Sequence, residues 1–155
     1  MALGYQALTT NTASHRNTAV GEFSLMTMNI TSDTNGYNTA MGYSVGASIT
    51  TGVNNVLMGA LAGDALTDAD FNVAMGYQAL TTDTLGSQST AIGHHALQTQ
   101  NFSTATNSGN TALGYQAGKT VSTGTSNTLI GGKAGTSITN GNNNTILGQG
   151  AGDAM

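Results

Sequence analysis

The chain has 155 residues, contains neither cysteine nor proline, and carries a formal net charge of −4 with only three basic residues. The lack of cysteine excludes disulfides and thiolate metal sites, and so few basic residues exclude the positive surface that nucleic-acid binding requires. No apolar run approaches the length of a membrane-spanning helix, so we predict no membrane insertion.

A repeat centred on glycine runs through the whole chain. Nine glycines each follow a segment resembling Asn-Thr-Ala-Leu, and successive glycines are 17 or 21 positions apart. The repeat is too short for a helix pair or a propeller blade and has no helical apolar period, so each copy predicts short strands and a turn. These anchor glycines are Gly4, Gly21, Gly42, Gly59, Gly76, Gly93, Gly114, Gly131 and Gly148.

The residues that follow each anchor glycine define two types of coil. The fourth position after the glycine is either Leu or Gly. Where it is Gly, an apolar residue comes three positions later, as in Ile49 and Val121; where it is Leu, the apolar residue comes five positions later, as in Ile30 and Phe102. We interpret the two types as alternative ways of filling one interior volume.

The coil types and spacings also repeat at a longer period. The shift that places Gly4 on Gly76 aligns the chain with itself without a gap and places Asn72 on Asn144. We therefore predict one repeat array over residues 1–155, made of four-coil units at 1–72 and 73–144 and a partial third unit at 145–155. We expect this array to be part of a longer fibre, because solenoid ends normally carry polar caps.

These patterns predict an all-β fold, a parallel β-solenoid or β-roll of nine 17- or 21-residue coils. Stacked coils would pair through their backbones at about 4.8 Å, which gives a rod about 40 Å long. The strand before each glycine is apolar at adjacent positions, as in Leu57 and Met58, and a strand that is apolar on both faces is buried on both.

One face of the strand can cover the interior of its own coil, and the other face needs a partner. We expect identical chains around an axis to bury it. The predicted axis and core consist of the residues directly before the glycines: Leu3, Val20, Met41, Met58, Met75, Ile92, Leu113, Ile130 and Leu147.

The anchor motif resembles a known family. The segments "NNVLMG" at 54–59, "NVAMG" at 72–76 and "STAIG" at 89–93 resemble the head repeat of trimeric autotransporter adhesins, and "NTALGYQA" at 110–117 is similar to repeats of phage tail-fibre proteins. The resemblance covers essentially the whole chain, although the coils are longer than those of the adhesin heads. It implies a homotrimer with the strand before the glycine turned toward the axis.

Few residues suggest chemistry. The chain has one Glu, six Asp and three His, with no recurring acid–base spacing, so we predict that it is not an enzyme and has no cofactor. His94 and His95 are weak metal candidates, and we expect them on opposite faces of a strand, where they cannot chelate together within one chain, although three copies of one of them around an axis could. Asp64, Asp68 and Asp70 are weak calcium candidates, since their spacing matches neither an EF-hand nor a nonapeptide repeat.

Each of the two 21-residue spacings contains four extra residues. The two sets of extra residues lie on equivalent sides of the rod. Insertions in solenoids map to loops on one face and often bind other molecules, although surface bulges that are merely tolerated are the simpler interpretation.

A row of Tyr after the anchor glycines fits either a carbohydrate-stacking surface or structural strand corners. The candidate contact residues for a cell-surface glycan or protein receptor are Thr31, Asp33, Asn35, Tyr37, Ser103, Thr106 and Asn107.

The expected function is structural. We predict an extracellular fibre shaft or head, part of a phage tail fibre on a virion or of a related surface appendage, that supports attachment to a host. The alternatives are the head of a bacterial trimeric adhesin on a cell surface, a self-stacking extracellular filament, and an ice-binding solenoid suggested by the Thr three positions before most anchor glycines. Val56 and Val73 interrupt that Thr row.

Overall fold

A computed structural model describes residues 1–31 and 35–153, and within these ranges the chain is all-β with no helix. Nine short strands form one parallel sheet in the order β1-β2-β3-β4-β5-β7-β9-β10-β11, and β6 pairs with β8 in a second sheet. This arrangement is a parallel β-solenoid of about eight turns, so the predicted solenoid fold is confirmed. The strands are β1 Ala2–Leu3, β2 Thr18–Val20, β3 Thr39–Met41, β4 Val56–Met58, β5 Val73–Met75, β6 Gly86–Ser87, β7 Thr90–Ile92, β8 Thr106–Asn107, β9 Thr111–Leu113, β10 Thr128–Ile130 and β11 Thr145–Leu147.

The register of the large sheet follows the alignment of the anchor glycines. Ala40 of β3 pairs with Ala19 of β2, and Leu57 of β4 pairs with Ala74 of β5, so each strand meets the equivalent residue of the next coil. Parallel strands at about 4.8 Å give the nine-stranded sheet a height of about 38 Å. Equivalent side chains therefore form straight rows along the molecule.

The middle residue of each strand supplies one row of the core. Ala40, Leu57, Ala91 and Leu129 are fully buried, while the residues on either side of them point outward, as alternation along a strand requires. A second buried row consists of the small residues three positions after the anchor glycines, such as Ala96. The strand before the glycine thus uses only one of its two apolar faces to cover its own coil.

The two coil types fill the same part of the core. Leu25 and Leu97, four positions after their glycines, are fully buried, and so are Ile49 and Val121 in the coils that carry Gly at that position. A Cβ atom added to Gly118 would lie 2.6 Å from Leu129 Cδ1. The same Cβ would lie 3.4 Å from Val121 Cγ2, so Leu129 and the early apolar residue Val121 together occupy the space that a Leu side chain at this position would need.

We therefore expect Gly118→Leu to overpack the core and to destabilise the protein by about 2 kcal/mol. Leu97 already adopts a left-handed backbone at the equivalent position, so the cost is steric and not conformational. Adding Leu129→Ala should recover part of the loss, although that substitution alone is destabilising. Thermal unfolding of the two single variants and the double variant measures the coupling; additive effects would contradict a shared volume.

The second sheet lies where the longer coil carries its extra residues. Thr106 and Asn107 of β8 pair in parallel with Gly86 and Ser87 of β6. In the first half of the chain, an isolated parallel bridge joins His15 and Asn35. The shift that aligns the two four-coil units places His15 on Ser87 and Asn35 on Asn107, so both longer coils return to the rod with the same register.

Candidate functional site: the outer face of the sheet

The nine residues directly before the anchor glycines form a row on the outer face of the large sheet, which we call the pre-glycine row. Met41 and Leu113 retain 46% and 45% of their accessible surface, and Leu147 retains 75%. Members inside the array, such as Met75 and Ile92, are half-buried. The residues predicted for a trimer axis therefore lie outside the core of their own chain and face away from it.

The neighbouring row on the same face consists of the residues three positions before each glycine. It contains mostly Thr, with Val56 and Val73 in two adjacent coils. Neither row contains a side chain with a formal charge. The outer face thus consists of two uncharged rows, one mostly of Thr and one of large apolar residues, along the full height of the sheet.

An aromatic row borders this face, directly after the anchor glycines. Tyr5 and Tyr43 each contact Phe23 edge to face, with ring centroids 5.7 and 5.9 Å away. Tyr77 and Tyr115 stack on opposite sides of His94, both at 5.4 Å. Because these rings stack on one another along the rod, the arrangement favours structural strand corners over a row of free faces for sugar stacking.

His94 and His95 do not lie on opposite faces, and that prediction is wrong. Both residues belong to the turn after Gly93, where His95 adopts a left-handed backbone with φ of 59°. Strand alternation does not apply in such a turn, and the two ring centroids are only 3.9 Å apart. Burial lowers the pKa of His95, and the positive charges of His94 and Lys119 lower it further.

The aspartates proposed for calcium are separate inter-coil hydrogen-bond acceptors. Asp68 Oδ1 accepts from Thr51 Oγ1 at 2.6 Å, and Asp70 Oδ1 accepts from the backbone N–H of Val53 at 2.7 Å. Asp64 accepts from the hydroxyl of Thr81 in the next coil. Burial raises the pKa of Asp64, and this hydrogen bond opposes the rise.

These carboxylates do not converge on a common point. Within residues 1–31 and 35–153, no three His, Asp or Glu side chains are placed to hold a metal ion together. Their partners lie 17 residues away in each case, so the carboxylates join neighbouring coils. The same described ranges contain no surface pocket and no helix long and apolar enough to cross a membrane.

The candidate receptor loops lie on the side of the rod that carries the extra residues. Thr31 and Ser103 are exposed, and Thr106 and Asn107 belong to β8. Tyr37 is exposed and accepts a hydrogen bond from the Arg16 guanidinium.

Contacts of Tyr37 and Asn35 hold the first longer coil to the rod. The Arg16 guanidinium carbon lies 5.4 Å from the centroid of the Tyr37 ring, and Asn35 forms the bridge to His15. Asp33, the other predicted contact residue, lies outside the described residues.

Sequence reasoning missed a polar ladder inside the rod. Asn stands four positions before seven of the nine anchor glycines and is buried in most of these coils. Its side-chain oxygen accepts from the backbone N–H of the equivalent residue one coil further along. For example, Asn55 Oδ1 accepts from Asn72 N at 2.9 Å, while Asn55 Nδ2 donates to Ala69 O at 2.8 Å. The repeated Asn was visible in the sequence, but not its inward direction.

A buried polar cluster interrupts this ladder where Ser89 replaces Asn. Gln100 Nε2 donates to Asp83 Oδ2 at 2.6 Å and to Ser89 Oγ at 2.7 Å, and Asn110 Nδ2 donates to Gln100 Oε1 at 2.8 Å. Asp83 also accepts the backbone N–H of Gly86. The alignment of the two four-coil units holds a signal for this cluster, since Asp83 and Gln100 stand where the first unit has Asn11 and Met28.

No protein-family model, no curated protein and no solved structure matches the chain. Its function is therefore inferred from the outer face, the longer coils and the buried polar groups.

Proposed function

We propose that the chain is a structural segment of an extracellular homotrimeric fibre, such as the shaft or head of a phage tail fibre, which supports attachment to a host or surface. The observation that supports this proposal is the pre-glycine row, an apolar row of exposed and half-buried side chains that continues through all nine strands of the large sheet. A monomeric soluble protein rarely leaves a long contiguous apolar surface in water.

The spacing of the outer face favours copies of the same chain as its partner. Side chains of the pre-glycine row recur once per turn, at about 4.8 Å. An identical chain packed in parallel presents the same pitch, so its apolar residues can interdigitate along the whole height. A partner with another pitch would fall out of register after a few coils.

The charge distribution favours self-association as well. Like charges brought together by rotational symmetry repel each other, and the two outer rows contain no charged side chain. The charged side chains Asp64, Asp68 and Asp70 lie instead in turns and returns of the coil. A symmetric trimer therefore buries this face without burying an unpaired charge.

The oligomeric state in solution tests the proposal. Light scattering of the purified chain should give three times the chain mass of 15.5 kDa. The double variant Met75→Lys and Ile92→Lys should reduce the mass to that of a monomer. Each chain would bury two lysine charges in the interface, close to the same lysines of the neighbouring chains. Both positions face outward, so the circular dichroism spectrum should stay that of a folded β-protein.

The double variant Thr104→Lys and Ala105→Lys serves as the matched control. It adds the same two charges per chain at exposed residues of the longer coil and should leave the trimer intact. A wild-type chain that is monomeric and fully folded at micromolar concentration would contradict the proposal.

In the same proposal, the longer coils supply the contact with a cell-surface glycan or protein receptor. Thr31, Ser103 and Asn107 are exposed there, and they lie away from the pre-glycine row. Glycan-array binding of the trimer, with Asn107→Ala compared against wild type, tests this assignment. Binding that survives substitution of these exposed residues would remove the loops from the receptor site.

A further inference from the structure

His95 has a fixed tautomer that leaves one ring nitrogen without a proton or a partner. Its Nε2 lies 2.9 Å from Gln78 Oε1. Gln98 Nε2 donates to the same carbonyl oxygen at 3.4 Å. Because a carbonyl oxygen only accepts, the proton of the neutral imidazole is on Nε2.

The other nitrogen of the ring is therefore a free lone pair. His95 Nδ1 is buried and has no hydrogen-bond partner among the residues that the structure describes. A buried acceptor without a donor is unfavourable in a folded protein, and a bound water or ion is a common partner for such a group. Donation of the second ring N–H to a carbonyl or carboxylate is also the usual arrangement of a histidine that binds metal.

His94 places a second imidazole beside this nitrogen. The two ring centroids are 3.9 Å apart, and His94 is exposed, so it is accessible to an ion from solvent. Two nitrogens bound to one ion lie about 3 Å apart, given metal–nitrogen bonds of about 2.0 Å. Tyr77 and Tyr115 flank the His94 ring and limit its movement.

We propose that His94 and His95 bind one first-row transition-metal dication through their imidazole nitrogens, with His95 using Nδ1. Gln78 is a positioning residue that holds the His95 tautomer. Imidazole pairs suit Zn²⁺, Ni²⁺ and Cu²⁺, and Cu²⁺ should bind most tightly by the general order of stability. Water completes the coordination of the ion. The site needs only one chain, so it does not depend on the trimer.

The repeat itself supplies conservative variants for the test. Other coils carry Tyr and Gln at these two positions, as at Tyr77 and Gln78, so His94→Tyr and His95→Gln should preserve the fold. Titration of the full chain with Cu²⁺, followed by calorimetry and electron paramagnetic resonance, should show one site with two coupled imidazole nitrogens. Each variant should lower the affinity at least tenfold and remove one coupled nitrogen.

Two further variants separate this site from adventitious binding. His15→Asn, which changes the remaining histidine, should leave the affinity unchanged. Gln78→Leu removes the acceptor for the Nε2 proton and should weaken Cu²⁺ binding at least tenfold while the circular dichroism spectrum stays the same. Equal Cu²⁺ affinity of wild type, His94→Tyr and His95→Gln would overturn the proposal.

Discussion

Replacing Gly93 with Ala should disrupt the solenoid between β7 and β9. Gly93 has φ of 135°, a conformation that side chains with a Cβ rarely adopt, and an added Cβ would lie 2.3 Å from the carbonyl oxygen of Gly114. Backbone strain and steric crowding each cost about 2 kcal/mol, so we expect a loss of about 4 kcal/mol. For a chain of this length, the midpoint of thermal unfolding should fall by about 10 °C or more.

Gly109→Asn is the matched control for this effect. Gly109 also has a positive φ, of 60°, but no atom lies closer than 3.8 Å to its added Cβ. Asn54 and Asn143 adopt the same conformation at the equivalent position of other coils. The control should change the unfolding free energy by less than about 1 kcal/mol. Equal losses for the two variants would contradict the view that close stacking of the anchor glycines decides the effect.

Replacing Asn55 with Leu should destabilise the protein by a similar amount, because it removes two hydrogen bonds of the polar ladder. The substitution keeps a side chain of similar size but removes the acceptor for Asn72 N and the donor for Ala69 O. Asn55 is fully buried, so water cannot replace these partners. Each orphaned backbone group costs about 2 kcal/mol, which predicts a loss of about 4 kcal/mol.

Asn144→Leu measures the same change at a half-exposed position of the ladder. The side chain of Asn144 donates to Asn127 Oδ1 at 2.9 Å, and the substitution removes this hydrogen bond. The backbone N–H of residue 144 also donates to Asn127 Oδ1, and that hydrogen bond remains. We expect a loss of about 1 kcal/mol. Denaturant unfolding followed by circular dichroism compares the two variants, and hydrogen exchange at the Asn72 amide should accelerate only in the Asn55 variant. Similar losses at both positions would argue against a role for burial.

The ladder and the anchor glycines together explain how a chain with few large apolar residues forms a rod. Leu, Ile, Val and Phe supply only 27 of the 155 residues, so the apolar core is thin. In coil after coil, the amide group of a buried Asn side chain donates instead to a backbone carbonyl oxygen inside the rod. Satisfied polar networks of this kind fix the register of the coils, because a slip of one residue would leave every buried amide unpaired.

The stacking of the coils follows from the amino-acid sequence alone. The two spacings between anchor glycines dictate which residues pair, and the observed partners, such as Ala40 with Leu57, are those that the glycine alignment predicts. The choice of Leu or Gly four positions after the anchor also pointed to residues that are fully buried, such as Leu97 and Val121. These features repeat, and a repeated unit can pair only with its own copies in register.

The residues that break the repeat acquire their roles only in the folded rod. His94 and His95 meet because a left-handed turn replaces strand alternation at that point, and a pattern of side chains does not reveal the backbone angle. Asp83 and Gln100 meet across two coils, 17 residues apart, inside the core. Periodicity identifies the positions that every coil shares, whereas the contacts of a residue that breaks the pattern depend on the three-dimensional neighbours that the folded rod gives it.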